Sequence, residues 1–84
     1  MTYSVFVRKS AQKALARIPF PFQDRIIRAI RSLANVPRPH GVKKLSNREA
    51  WRIRVGDYRI IYEIHDDRLV ILVVVVGHRG DVYR

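Results

Sequence analysis

The 84-residue sequence contains no cysteine. That excludes a disulfide framework, a thiolate zinc centre and a cysteine nucleophile, and it fits a reducing compartment. Serine suggests no triad either: Ser4, Ser10, Ser32 and Ser46 fall in strand, cap, helix and loop contexts. Long apolar runs are also missing. The longest, Leu69 to Gly77, is far below the roughly 20 residues that a membrane-spanning helix needs. The opening MTYSVFVRKS lacks the apolar core of a signal peptide, so a cytoplasmic location is expected, with no membrane partner. Acids number only 7. They do not cluster: Asp66-Asp67 reads as a turn, and Asp81 stands alone beside Arg79. No metal or cofactor is expected.

What is abundant is positive charge. Lys and Arg number 17, for a net charge of +10, and 13 of the 17 are arginine. A guanidinium grips phosphate bidentately and stacks on bases, whereas an ammonium is a point charge. Such an excess on a small domain is the electrostatic footprint of a polyanion, with a solubilising surface or an acidic protein partner as the plainer alternatives. The apolar fraction of 48% is that of a folded chain, and residues 1–84 make one domain. There is no internal repeat and no low-complexity segment.

Residues 3–7, YSVFV, read as a short strand. Ser10 is the expected cap of a first helix, whose Ala11, Ala14, Leu15 and Ile18 fall on one face. Pro19 and Pro21 make a corner. A second helix is expected from Pro21 to Asn35, with Phe22, Ile26, Ala29, Ile30 and Leu33 as its apolar stripe and Arg25, Arg28 and Ser32 facing away. VPRPHG then opens a loop carrying Lys43 and Lys44. From Ala50 the period becomes two. Trp51–Val55 and Tyr58–His65 form a hairpin about a type II′ turn at Gly56-Asp57, and Asp66-Asp67 turns into a third strand over residues 68–77. The expected fold is α+β: β-α-α-β-β-β, a mainly antiparallel sheet with a helical hairpin packed on one face.

The Gly56-Asp57 turn fixes the hairpin register. Trp51 falls opposite Tyr62, Ile53 opposite Ile60 and Val55 opposite Tyr58, all on the core side. Arg54 falls opposite Arg59 on the other face, with Arg52 two residues along. Like charges directly opposite are destabilising, so this patch asks for an anion. Glu63 on the same face offers a salt-bridge ladder instead. Carrying the register through Asp66-Asp67 sets Arg59 against Val74 and puts Val76 and His78 on the arginine face. Gly77 and Gly80 could re-aim Arg79 and leave Tyr83 available. RNA cleavage at a 2′-hydroxyl needs a base, charge stabilisation and an acid. Arginines supply the second, and His or an arginine-crowded Tyr supplies proton transfer. Trp51, Tyr58 and Tyr62 read as core, Arg25, Arg28 and Arg31 as a solvated helix face, and His40 and His65 receive no role.

Together GVKKL, WRIRVGDYRIIYEI and VVVVGHRGDVYR resemble the RelE branch of the RelE/ParE toxin superfamily, over nearly the whole chain. The resemblance implies a RelE-like fold and a toxin of a type II toxin–antitoxin system. It further implies a metal-independent endoribonuclease (an mRNA interferase) that cuts mRNA in the ribosomal A site, with ribosome and mRNA as partners. An acidic antitoxin would cover the basic face in a hetero-oligomer. Carried onto this sequence, the family's cations fall on Arg52, Arg54 and Arg59, with Lys43 and Lys44 as further RNA contacts. The strand-end arginine falls on Arg79 and the C-terminal tyrosine, a general base, on Tyr83. His78 stands where some members have another basic residue and could share proton transfer. The stretch from Arg79 to Tyr83 is short against some relatives. Two alternatives remain: a ParE-like inhibitor of DNA gyrase and a non-catalytic basic binding module.

Overall fold

The computed structural model describes residues 2–78. Its elements are β1 (Ser4–Val7), α1 (Lys9–Ala16), α2 (Phe22–Ser32), β2 (Lys43–Lys44), β3 (Trp51–Val55), β4 (Tyr58–His65) and β5 (Val70–His78). One five-stranded sheet has the order β1-β5-β4-β3-β2. All pairings are antiparallel except β1 with β5, where Ser4 lies beside Val70. The first strand thus closes against the last, and α1 and α2 cover one face.

Local chemistry sets the element ends. Arg8 N–H donates to the Val73 carbonyl at 2.9 Å, and α1 starts at the very next residue. This leaves no room for the Ser10 cap expected from sequence. Arg8 is the capping residue and makes no side-chain cap bond, while Gln12 Nε2 ties back to the Val7 carbonyl at 2.8 Å. The second helix is shorter than expected. After Ser32 the chain tightens into three-residue turns, with the N–H groups of Leu33, Ala34 and Asn35 bonding back to Ile30, Arg31 and Ser32. Two lysines expected in a loop form the short edge strand β2.

The core lies between helices and sheet. Ile26, Leu33, Ile60, Tyr62, Ile71 and Val73 are fully buried there, joined by Ala11, Ile18, Ile30, Ile53 and Val76. Each such aliphatic side chain removed from water contributes about 1.5–3 kcal/mol. A second cluster sits on the opposite face: Ala50, Ile61 and Val74, with Leu45, Leu72 and Val75 packed on it. The loop between Leu45 and Ala50 folds over it, closed by Leu45 N–H donating to the Ala50 carbonyl at 2.9 Å.

The hairpin register is as expected, including Trp51 with Tyr62 and Arg54 with Arg59. Gly56 takes φ +59° while Asp57 is not in the positive region, as a type II′ turn requires. The register of β5 is not as expected. The chain turns over residues 66–69, with Leu69 at φ +54°, rather than over Asp66-Asp67 alone. A bulge then interrupts the ladder: Tyr62 pairs with Val73 but Ile61 with Val75. Arg59 therefore lies opposite Gly77, not Val74, and Val76 joins the helix-side core. An extra residue in a strand flips every side chain beyond it to the other face.

Candidate nucleic-acid interface and active site

The arginine face forms as the hairpin register requires. Arg52, Arg54 and Arg59 lie on the side of β3–β4 turned away from the helices, with Arg54 directly across from Arg59. Arg59 is only 9% exposed, while Arg54 is open to solvent. Opposite Arg59 on β5 is Gly77, which adds no side chain to the face. Arg54, Gly56, Asp57 and Arg59 line a notch of about 30 Å³ at the hairpin tip. Glu63 shares the face, and its carboxylate is engaged by Arg48 at 3.6 Å and His65 at 3.0 Å.

The face expected for His78 is corrected by the structure. His78 pairs with Tyr58, and the two rings meet edge to face at 5.5 Å. Tyr58 packs in turn on Phe22 of α2 at 6.0 Å. His78 therefore belongs to the helix side, not to the arginine face, because the bulge inverts the alternation that sequence suggests. Arg79 and Tyr83 lie outside the described residues. Lys43 sits opposite Arg52 on β2, at the sheet edge, and Lys44 pairs with Glu49 at 3.1 Å. Among the described residues no three His, Cys, Asp or Glu side chains gather into a metal-ligating group.

Several neighbours of the site were not legible in the sequence. A cleft of about 490 Å³ runs between α2 and β3, lined in part by His40, Lys43, Arg52 and Arg54. Its far wall, the loop around Pro39, is held by a long-range latch. Arg38 forks onto Asp66, with contacts of 2.9 and 3.5 Å, and its guanidinium lies 4.9 Å from the Trp51 ring centre. Tyr3 also donates its hydroxyl to Asp66. The hydrogen bonds from Arg38 and then Tyr3 hold the Asp66 carboxyl below the ordinary carboxylate range. The bond to Asp66 raises the Tyr3 phenol. Beneath the latch, buried Tyr62 donates to the Pro37 carbonyl at 2.7 Å, and burial pushes its phenol up to about 12. Arg38 and Asp66 are far apart in sequence, so only the fold pairs them.

Comparison with known proteins gives this arrangement a family. The family model described as ParE toxin of type II toxin-antitoxin system, parDE, matches residues 5–83. The chain belongs to the RelE/ParE toxin superfamily. Within it, this toxin is 32% identical to Toxin RelG of Mycobacterium tuberculosis, over 100% of this chain and 99% of that one. Its fold superposes on the archaeal RelE–RelB complex from Pyrococcus horikoshii with a TM-score of 0.85 and 32% identity, covering 95% of this chain and 98% of that one. The RelB–RelE complex from Methanococcus jannaschii gives a TM-score of 0.75 and 29% identity, with 93% and 94% covered. The chain is a type II toxin of a RelE-like toxin–antitoxin system. No helix among its described residues is long and apolar enough to cross a membrane.

Proposed function

We propose that this toxin is a ribosome-dependent endoribonuclease that cuts mRNA in the ribosomal A site without a metal, and so stops translation in the cytoplasm. The observation that carries the proposal is Arg54 set directly across from Arg59, with Arg52 beside them. Three cations share one patch of the sheet, and a guanidinium fork suits a phosphate in both charge and shape. In the proposed reaction the 2′-hydroxyl gives its proton to a base, and its oxygen forms a bond to the adjacent phosphorus. The bond from phosphorus to the 5′-oxygen then breaks, and that oxygen takes a proton from an acid. Arg52, Arg54 and Arg59 bind the phosphate and stabilise the charge that builds on its oxygens. Tyr83 is proposed as the base and Arg79 as acid or charge stabiliser. Lys43 and Lys44 contact RNA backbone. His78, on the helix side, is left out of the reaction.

Known relatives occur as RelE–RelB complexes. By that likeness the toxin is proposed to form a hetero-oligomer with an acidic antitoxin, to which a net charge of +10 is complementary. The deciding experiment is in vitro translation with purified toxin, mapping mRNA 5′ ends by primer extension, beside the same mRNA without ribosomes. Cuts in the A-site codon only when ribosomes are present are expected. Intact mRNA in both reactions would reject the proposal. Arg79→Ala and Tyr83→Phe should each abolish growth arrest while antitoxin binding persists.

The family-model match to ParE favours a second reading, inhibition of DNA gyrase. Loss of supercoiling activity with translation intact would establish it.

A further inference from the structure

A basic furrow lies beneath α2, beside the arginine face. Two clefts flank β3, one of about 490 Å³ and one of about 530 Å³, and they share Ala29 and Arg54. The first carries Lys43, His40 and Arg52; the second carries Arg25 and Arg28. No carboxylate lines either cleft among the described residues, although Asp24 pairs with Arg28 at 2.7 Å on the helix surface. The furrow is open because β2 pairs only with Trp51 and Arg52, leaving Ile53–Val55 as the described edge of the sheet. Its floor of Ala29, Ile53 and Val55 is apolar.

We infer that this furrow is a second binding track for the phosphate backbone of single-stranded RNA, continuous with the arginine face through Arg52 and Arg54. The inference rests on the proposed RNA substrate and extends its contact beyond the reacting phosphate. Arg25 to Ser32 on α2 spans roughly 10 Å at a rise of 1.5 Å per residue. At ~3.4 Å of axis per phosphate in a stacked strand, that length accommodates about three phosphates. Arginines three apart on α2 project to the same side of the helix, so Arg25 and Arg28 present a row rather than a scatter. An acidic peptide could meet the same charges, but the furrow joins a site already suited to phosphate, and its cations are mostly guanidiniums.

The test measures binding of fluorescein-labelled oligouridylates of about four and about twelve nucleotides to purified toxin across a salt series. The wild type should bind the longer strand more tightly. R25Q/R28Q should abolish that length advantage and lower the slope of log affinity against log salt by about 1.4, or ~0.7 per phosphate contact. R25K/R28K should keep the slope. If the double variant loses its circular-dichroism spectrum, R25Q alone decides, with an expected loss of about 0.7. An unchanged slope in R25Q/R28Q, or no length advantage in the wild type, overturns the inference. So does an R25Q/R28Q defect confined to binding oligoglutamate, which would assign the furrow to an acidic protein. The assay contains no ribosome and reads no cleavage, so an inert nuclease centre would leave it unaffected. R59Q, altered only on the arginine face, should weaken binding of both lengths.

Discussion

Arg54 stands directly across from Arg59, so a neutral residue in place of Arg54 removes a like-charge neighbour from the sheet. The substitution is Arg54→Thr. The pair flanking the two-residue turn, Val55 with Tyr58, is hydrogen-bonded, so Arg54 with Arg59 is the non-hydrogen-bonded kind, in which side chains stand closest. Cross-strand pairs are worth ~0.2–1 kcal/mol each, and a like-charge pair directly opposite acts with the destabilising sign. Threonine is β-branched and suits an exposed strand position, so little offsets the gain. For a domain of this size ~1 kcal/mol moves Tm by about 4–8 °C. Thermal melts at low salt should therefore place R54T above the wild type by up to several degrees. Added salt should narrow the gap only modestly, because Arg59 is largely buried and directly opposed side chains lie within the Debye length of ~10 Å at about 0.1 M. The same variant should lose growth arrest. A lower Tm for R54T at low salt, with toxicity retained, would refute the reasoning and turn the arginines into part of a structural ladder.

Three further outcomes follow from the latch and the turn beside it. Tyr62→Phe removes a buried hydrogen bond to Pro37 and should cost ~1 kcal/mol in urea titrations at neutral pH. Because the folded phenol titrates at about 12, wild-type stability is intact below the ordinary pKa near ~10 and falls as pH rises from there. That loss is on the order of 2–3 kcal/mol, more than the hydrogen bond is worth, so the two curves should converge and then cross at alkaline pH; parallel curves would deny the burial effect. Asp66→Asn should act at the other end of the scale. A lowered carboxyl stabilises above the ordinary carboxylate range and loses its contribution as pH falls through the folded value. The wild-type advantage over D66N should vanish in acid, and a constant offset would count against the latch. Leu69→Asn should raise Tm, because Leu69 holds φ +54°, a region that asparagine enters far more readily; a lower Tm would show that the Leu69 side chain matters more than its backbone.

The hairpin was legible because its turn announces itself. Gly56-Asp57 fixes where β3 ends and β4 begins, and from there alternation gives every partner from Trp51 to Tyr62. The register of β5 had no such signal. Its turn ends on Leu69, a residue that rarely marks a left-handed position, and its bulge falls within Val73–Val76, where identical side chains give no sign of which residue is extra. The face assigned to His78 failed for that reason alone. The helices were legible by period, but the Ser10 cap was not, since the end of α1 is set by a rung of the sheet. The furrow and the latch join residues from separate elements, and no local pattern in the sequence could reveal them.

The valine run also bears on where the proposed polyanion would dock. Val73 and Val76 face the helices, while Val74 and Val75 face the other side, under Leu45 and Ala50. Strand β5 is therefore covered on both faces, which is why it reads as continuously apolar. That covering divides the side of the sheet turned away from the helices. One part is closed by the loop between Leu45 and Ala50, with Arg48 and His65 drawn onto Glu63 at its margin. The other, at the β3–β4 hairpin, carries Arg52, Arg54 and Arg59. In the proposed complex an RNA strand thus meets the toxin's cations at the hairpin end, where the outer edge of β3 opens directly onto the basic furrow beneath α2.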